Sequence, residues 1–416
     1  MAITTNQQPA AHTPVVNPQT FESTSTAIGN ADFAYRILCT DLITLSTQTY
    51  NIKQRPTTGE LVFNAAVFSK NFIKNYVPNN VYGFRRCTDA IRKIRINIGE
   101  YFSSAYTAGA NIDYIIWNGS LRALEWVDYA ATQYIYKNST SNFKYLTSDT
   151  YNTLTGFHTS TKKTYADRSH FLYVLSSENN DLEFLRINTY NDAGTLIGEY
   201  DIPNQYAAGT TYTDKYVCID IGHKGLSNLT LSPVQYSVIS GSAPIISSSV
   251  SYYDVIDAYT APPATARKNI SRFYIECEPT YTVYTLHFKA KGGNFETLHF
   301  AKNSQLRERA QKNSYRRNPN TLASNNYAYT KFDEWERTIS STGTESIQIK
   351  TDWLTPNQVA FYREIITSTE VYIDYGATIG LVPCKVLTSE ILVNQNYNNK
   401  MFGINLEIEP TYKNNY

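Results

Sequence analysis

His287, Glu296 and His299 lie on two apolar runs either side of Gly292-Gly293-Asn294. Folded as a hairpin, those runs would bring two imidazoles and a carboxylate together, the donor types of a zinc site. The spacings are not those of a zinc motif, and His287 shares a strand face with Val283, Thr285 and Lys289. Cross-strand or solvent-face histidines account for the pattern, and no metal is expected. Asp167-Arg168-Ser169-His170 holds the residue types of a Ser/His/Asp site. Neighbours on one loop or strand cannot form a triad, because the base must reach the nucleophile from a separate element. No G-x-S-x-G elbow is present, and neither phosphate-cradling glycine motif is found.

Asp333, Glu334 and Glu336 flank Trp335. Glycoside chemistry needs two such acids facing across a cleft, whereas a charged loop around an aromatic anchor explains these without one. The five cysteines, Cys39, Cys87, Cys218, Cys277 and Cys384, are odd in number, include no C-x-x-C, and sit in or beside apolar runs. They read as buried free thiols of a protein folded in a reducing cytoplasm. The N-terminus has no basic start and no apolar h-region, so no signal peptide is expected, and the sequons at Asn118, Asn138, Asn228 and Asn269 carry little weight. No run approaches a membrane span, and no membrane insertion is expected. Neither a catalytic residue nor a cofactor is assigned, and the chain is not expected to be an enzyme.

The elements that would position these residues are mostly strands. Tyr occurs 35 times against 18 Phe and 2 Met, and only 18% of residues are charged. Tyr favours strands and suits half-exposed faces, with a ring to bury and a hydroxyl for water. The plainest alternation is RKIRINIGEYF, where Ile94, Ile96 and Ile98 share one side and Lys93, Arg95 and Asn97 the other. YVCIDIG alternates likewise, with Val217, Ile219 and Ile221 inward and Cys218 and Asp220 opposite. Asn118-Gly119 and Asn191-Asp-Ala-Gly194 read as turns. One helix is expected, over 355–368: Thr355 and Gln358 form a capping box, Pro356 takes the first helical position, and Val359, Tyr362, Ile365 and Ile366 make the apolar stripe.

The fold class is therefore mainly β, with tandem β-sandwich domains and one short C-terminal helix. Residues 1–29, poor in large apolar anchors, read as an extended N-terminal arm. Sandwiches follow over 30–154 and 155–265, with 261–269 (APPATARKN) as linker, and a β domain carrying the helix over 266–416. Residues 303–326 form a polar, basic excursion.

YTVYTLHFKAKGGNFETLHFAK resembles a hairpin of virion proteins from tailed bacteriophages of Bacteroidetes, the crAss-like group included. The order WLTPNQVAFYREIITSTEVYIDYG, PCKVLTSE, INLEIEP is similar to the C-terminal layout of those tail and neck proteins. DFAYRIL, GELVFNAAVF and KIRINIGEYF fit their N-terminal part. At the hairpin turn this chain has Lys291 and Asn294, where members often have an aromatic such as Trp. The resemblance implies a structural subunit, copied around the tail axis in a ring, hub or baseplate-like layer of the virion. It implies no catalytic residues.

Function is then expected at interfaces, where aromatics bury area at low entropy cost and Arg is enriched. The candidates are Trp335, Trp353, Tyr284, Phe295, Arg307, Arg309, Arg316 and Arg317, with Trp117 and Trp126 as further aromatic anchors. Partners would be other copies of the chain and other tail or neck proteins. Nucleic-acid contact is not expected at a formal charge of +1. Contact with a host surface is left open, because Tyr- and Trp-rich β faces also suit a receptor- or glycan-binding tail protein; a cell-wall glycan hydrolase ranks third.

Overall fold

The computed structural model describes residues 3–78, 82–121, 123–127, 160–176, 182–207, 209, 211–230, 235–259, 265–276, 279–316, 321–323, 326–328, 336–352, 354, 359, 362–376, 379–389, 403–411 and 414–415. Trp335, Trp353, Arg317, Asp333, Glu334, Cys277, Asn138, the capping residues 355–358 and the boundary near 154 lie outside them. The chain is mainly β, as expected, and forms two compact units: Met1–Glu278 with Lys289–Thr297, and Pro279–Phe288 with Leu298–Tyr416.

The first unit holds two hydrophobic cores. In one, a three-stranded sheet (Ile3–Gln7, Thr20–Ser25, Leu61–Asn64) faces a larger sheet ordered His12–Pro14, Asn111–Trp117, Ile91–Phe102, Ala34–Asp41, Thr47–Ile52. Phe21, Leu61 and Phe63 from the first sheet meet Tyr35, Ile37, Ile94, Ile96, Ile98 and Ile116 from the second. The predicted Ile94/Ile96/Ile98 stripe is that core face. Residues 3–29 are not an arm. They supply three strands, and Val15 and Phe21 are buried. The alternation of Phe21, Ser23 and Ser25 buries small polar groups as well as one ring, so the segment folds in without a long apolar run.

The second core lies between a six-stranded sheet (Ser160–Tyr165, Thr265–Glu276, Tyr252–Tyr259, Phe184–Tyr190, Leu196–Pro203, Ser237–Ser240) and a three-stranded one (Phe171–Leu175, Tyr216–Asp220, Arg85–Arg86). Val217, Ile219 and Ile221 point into it, as read from the sequence. The opposite face of that strand is also closed, because Tyr216, Cys218 and Asp220 are buried. Central strands covered on both faces do not show a polar side. The expected linker is in part a strand: Thr265–Glu276 pairs with Tyr252–Tyr259 on one edge and Ser160–Tyr165 on the other.

The second unit is organised by strands ordered Tyr284–Lys289, Val371–Asp374, Leu381–Val386, Asn405–Pro410, Glu336–Lys350, Gln305–Arg316. Leu286, Phe288, Ile349, Ile373, Leu406 and Ile408 are buried in it. Of the expected helical stripe, Val359, Tyr362 and Ile365 are buried, and Tyr362 meets Phe288 edge-on at 6.4 Å. The described end of that helix, Arg363–Thr367, is a 3-10 turn. Short α-helical turns occur elsewhere, at Ala66–Ser69, Ala123–Val127 and His223–Ser227.

Candidate functional site

The 303–326 segment, expected as an excursion, contains a regular strand. Gln305–Arg316 pairs antiparallel with Glu336–Lys350 along its whole length, about 40 Å at strand rise. Every one of its side chains is exposed. The strand forms because its backbone bonds are satisfied by a neighbour, not because it buries an apolar face, and hydrophobic periodicity therefore cannot detect it. It ends the sheet, so its outer edge has no strand partner among the described residues. The outer part of the ribbon, where Arg316 faces Glu336 and Asn313 faces Ser340, is two strands wide and its residues are exposed.

Three interface candidates, Arg307, Arg309 and Arg316, stand on this ribbon, with Lys312 beside them. Alternation puts Arg307 and Arg309 on one face and Leu306, Glu308, Ala310 and Lys312 on the other. Arg309 reaches Glu407 at 3.7 Å. Glu308 is directly opposite Glu345, a like-charge cross-strand pair that destabilises an isolated ribbon. Among the described residues, Glu308, Glu345 and Lys312 form no ion pair. Leu306 and Ile339 are 64% and 69% exposed. Acidic residues among the basic ones make this a poor surface for a phosphate backbone, which binds through an excess of Lys and Arg.

The other candidates separate sharply. Phe295 is not an interface residue: it is 0% exposed, packed in the interior of the first unit. There the glycine turn closes tightly. Gly293 has φ +85, and a side chain on it would strike the Asn118 backbone. Ser120 N–H donates to Lys291 O at 2.7 Å, and Lys289 Nζ donates to Asn118 Oδ1 at 2.8 Å. Asn118 is thereby buried, which removes it as a glycan acceptor. Trp117 is fully buried core, Trp126 is half-buried, and Tyr284 is half-buried.

The described histidine and Ser/His/Asp candidates make contacts within the fold. His287 faces Asp374 at 3.9 Å in the interior, and His299 Nδ1 bonds Thr285 Oγ1 at 3.0 Å. Glu296 Oε1 accepts from Asn294 Nδ2 at 2.5 Å. No group of three His, Cys, Asp or Glu among the described residues could hold a metal. Asp220, from another strand, does meet Ser169 and His170, yet not as a triad. It accepts the His170 and Gly222 N–H groups at 2.8 and 2.9 Å and the Ser169 hydroxyl. Burial pushes its carboxyl up to about 6 against those donors and the charge of Lys224. The His170 ring instead bonds Lys162 Nζ at 2.9 Å and lies against Phe273. This is a polar brace for the 167–170 turn.

The described cysteines are buried free thiols, as expected. Burial pushes Cys39 and Cys384 up to about 12; Cys87 is raised by burial first and then by a hydrogen bond with Cys218, a pairing their distance in sequence conceals.

An aromatic row escaped the sequence reading. Tyr190, Tyr252 and Tyr274 stand directly opposite one another on three adjacent strands. Tyr190 and Tyr252 stack at 4.8 Å, Tyr252 and Tyr274 meet at 5.1 Å, and the Arg272 guanidinium covers Tyr252 at 4.8 Å. Only knowledge of strand register brings these three together.

No protein-family model matches this chain, and no curated protein matches it. No helix among the described residues is long and apolar enough to cross a membrane.

Proposed function

We propose that this chain is a structural subunit of a homo-oligomeric ring or hub in the tail or neck of a bacteriophage virion, acting through protein–protein interfaces. The observation that carries the reading is the Gln305–Arg316 ribbon strand. An isolated two-stranded ribbon is marginal in water, and an open edge is a template for another strand. A 12-residue strand with every side chain exposed gains stability when a neighbour covers it. The phage setting rests on the resemblance of the aromatic hairpin and the C-terminal segment order to virion proteins.

Binding of a receptor glycan would call for aromatic faces open to a sugar ring. In the Tyr190–Tyr252–Tyr274 row Tyr190 and Tyr252 stack on one another and Arg272 covers Tyr252, leaving Tyr274, 41% exposed, as the most open ring, so the ribbon reading is preferred. Native mass spectrometry and negative-stain imaging of the purified protein test it. A discrete multi-copy particle is expected; a monomer at high concentration that enters no particle overturns the proposal.

A further inference from the structure

We propose that the open edge of Gln305–Arg316 pairs antiparallel with the same strand of a second copy, with Ala310 on the two-fold axis. The inference rests on reading the ribbon as an assembly element, and it adds the partner and the register; a two-fold contact joins copies in pairs, and closure of a ring falls to a second, heterologous interface.

The strand is suited to such pairing because it is regular. The one irregularity in its ladder falls between Asn313 and Ser314, and the extra residue, Ile339, is on the neighbouring strand. Side-chain alternation is therefore kept from Gln305 to Arg316. A two-fold axis perpendicular to a sheet leaves every side chain on its own face, and residues directly opposite in an antiparallel pair share a face. The axis must then pass through a residue, not between two.

Charge decides which residue. An axis at Arg307, Arg309 or Lys312 sets that cation against its own copy, and one at Glu308 opposes two carboxylates and brings Arg307 against Arg309. An axis at Gln311 or Asn313 opposes no unlike charges within the strand. At Ala310, Glu308 faces Lys312 of the second copy and Lys312 faces its Glu308, while Arg309 meets Gln311, Arg307 meets Asn313, and two alanines meet at the centre. No like charges oppose. Charged residues on exposed edges ordinarily keep edges apart; these repel in the registers centred on Arg307, Glu308, Arg309 and Lys312, are indifferent at Gln311 and Asn313, and attract in this one.

The intrachain ladder leaves the same two residues wanting. Glu308 is held opposite Glu345, and Lys312, opposite Ser341, has no ion-pair partner among the described residues. A second copy delivers a cation to Glu308 and a carboxylate to Lys312 without moving either chain's core.

Sedimentation velocity on the full chain tests the register through Glu308→Lys and Lys312→Glu. Each substitution alone turns both unlike pairs into like pairs, and each is expected to weaken self-association at least about tenfold. Mixed in equal amounts, the two variants oppose lysines to glutamates at all four positions, and a heterodimer as tight as the wild-type dimer should form. The loss in each single variant and the recovery in the mixture should both shrink as salt is raised. Recovery on mixing also excludes misfolding as the cause of the single losses.

A second readout is covalent. Ala310→Cys, treated with diamide as two-electron oxidant, should give a disulfide-linked dimer, since directly opposite Cα atoms lie within disulfide range. Arg307→Cys, far from its own copy in this register, should give none. A wild-type chain that never self-associates overturns both this inference and the assembly reading. Self-association that ignores both charge swaps, with no Ala310→Cys dimer, overturns the edge pairing and leaves the assembly reading standing.

Discussion

In the 184–203 hairpin, Arg186 stands directly opposite Asp201 and closes a two-bonded pair at 2.8 and 2.9 Å. In the ribbon, Glu308 stands directly opposite Glu345 and closes nothing. The difference is not an accident of one site. Arg272 faces Asp254 and Arg95 faces Asp113 in the same bidentate fashion, each across neighbouring antiparallel strands. The Asp113 carboxyl is held below its usual range by the Arg95 hydrogen bond, and the Asp254 bond raises the Arg272 guanidinium. These three cross-strand pairs of the first unit thus neutralise charge within the chain, whereas at Glu308 and Glu345 the ribbon sets like charges side by side.

The contrast can be broken by moving one arrangement into the other's place. Asp201→Lys gives the 184–203 hairpin the ribbon's like-charge geometry. With Arg186 and Asp201 only 11% and 13% exposed, the variant should lose about 3–5 kcal/mol in urea unfolding. Loss under about 1 kcal/mol would show that these sheets do not depend on paired charge.

Asp220 sharpens the comparison, because it is a charge met mainly by N–H and O–H donors. Its folded carboxyl, at about 6, lies above the ordinary 3.8, so its contribution favours folding below about pH 4 and is lost as pH rises through about 6. Wild-type stability relative to Asp220→Asn should therefore fall by about 2 kcal/mol between pH 4 and pH 7. Parallel pH profiles for the two proteins would refute this assignment.

Asp254→Ala leaves a guanidinium that is 32% exposed and still lies over the tyrosine row, and the expected cost is about 1–2 kcal/mol by thermal or urea melts. The smallest effect is a gain. Glu345→Lys gives Glu308 an unlike partner within its own chain and should stabilise the monomer by about 0.5 kcal/mol. A loss of stability there would mean that the carboxylate pair is not a liability.

Where strands bury an apolar stripe, the sequence was readable residue by residue. Ile94, Ile96 and Ile98, and likewise Val217, Ile219 and Ile221, are the core faces their alternation predicted. The helical stripe Val359, Tyr362 and Ile365 was equally plain. The misses share a cause. Residues 3–7, 12–14, 20–25, 265–269 and 305–316 are strands with polar or basic composition, held by ladder hydrogen bonds and not by a long apolar stripe. Phe295 was misplaced for the converse reason: an aromatic in a strand signals burial or interface equally well, and only packing separates them.

Composition and alternation, by themselves, determined a mainly β chain, the positions of its apolar strands and the buried state of its four described thiols. Those properties follow from local preferences and from the free energy of removing apolar surface from water, which act on each segment separately. Register belonged to the tertiary structure. It placed Glu308 against Glu345, lined up Tyr190, Tyr252 and Tyr274, joined Cys87 to Cys218, and set Asp220 under the 167–170 turn. Cross-strand neighbours are chosen by which backbone groups pair, and a one-residue slip changes every one of them, so no reading of a single strand can supply them.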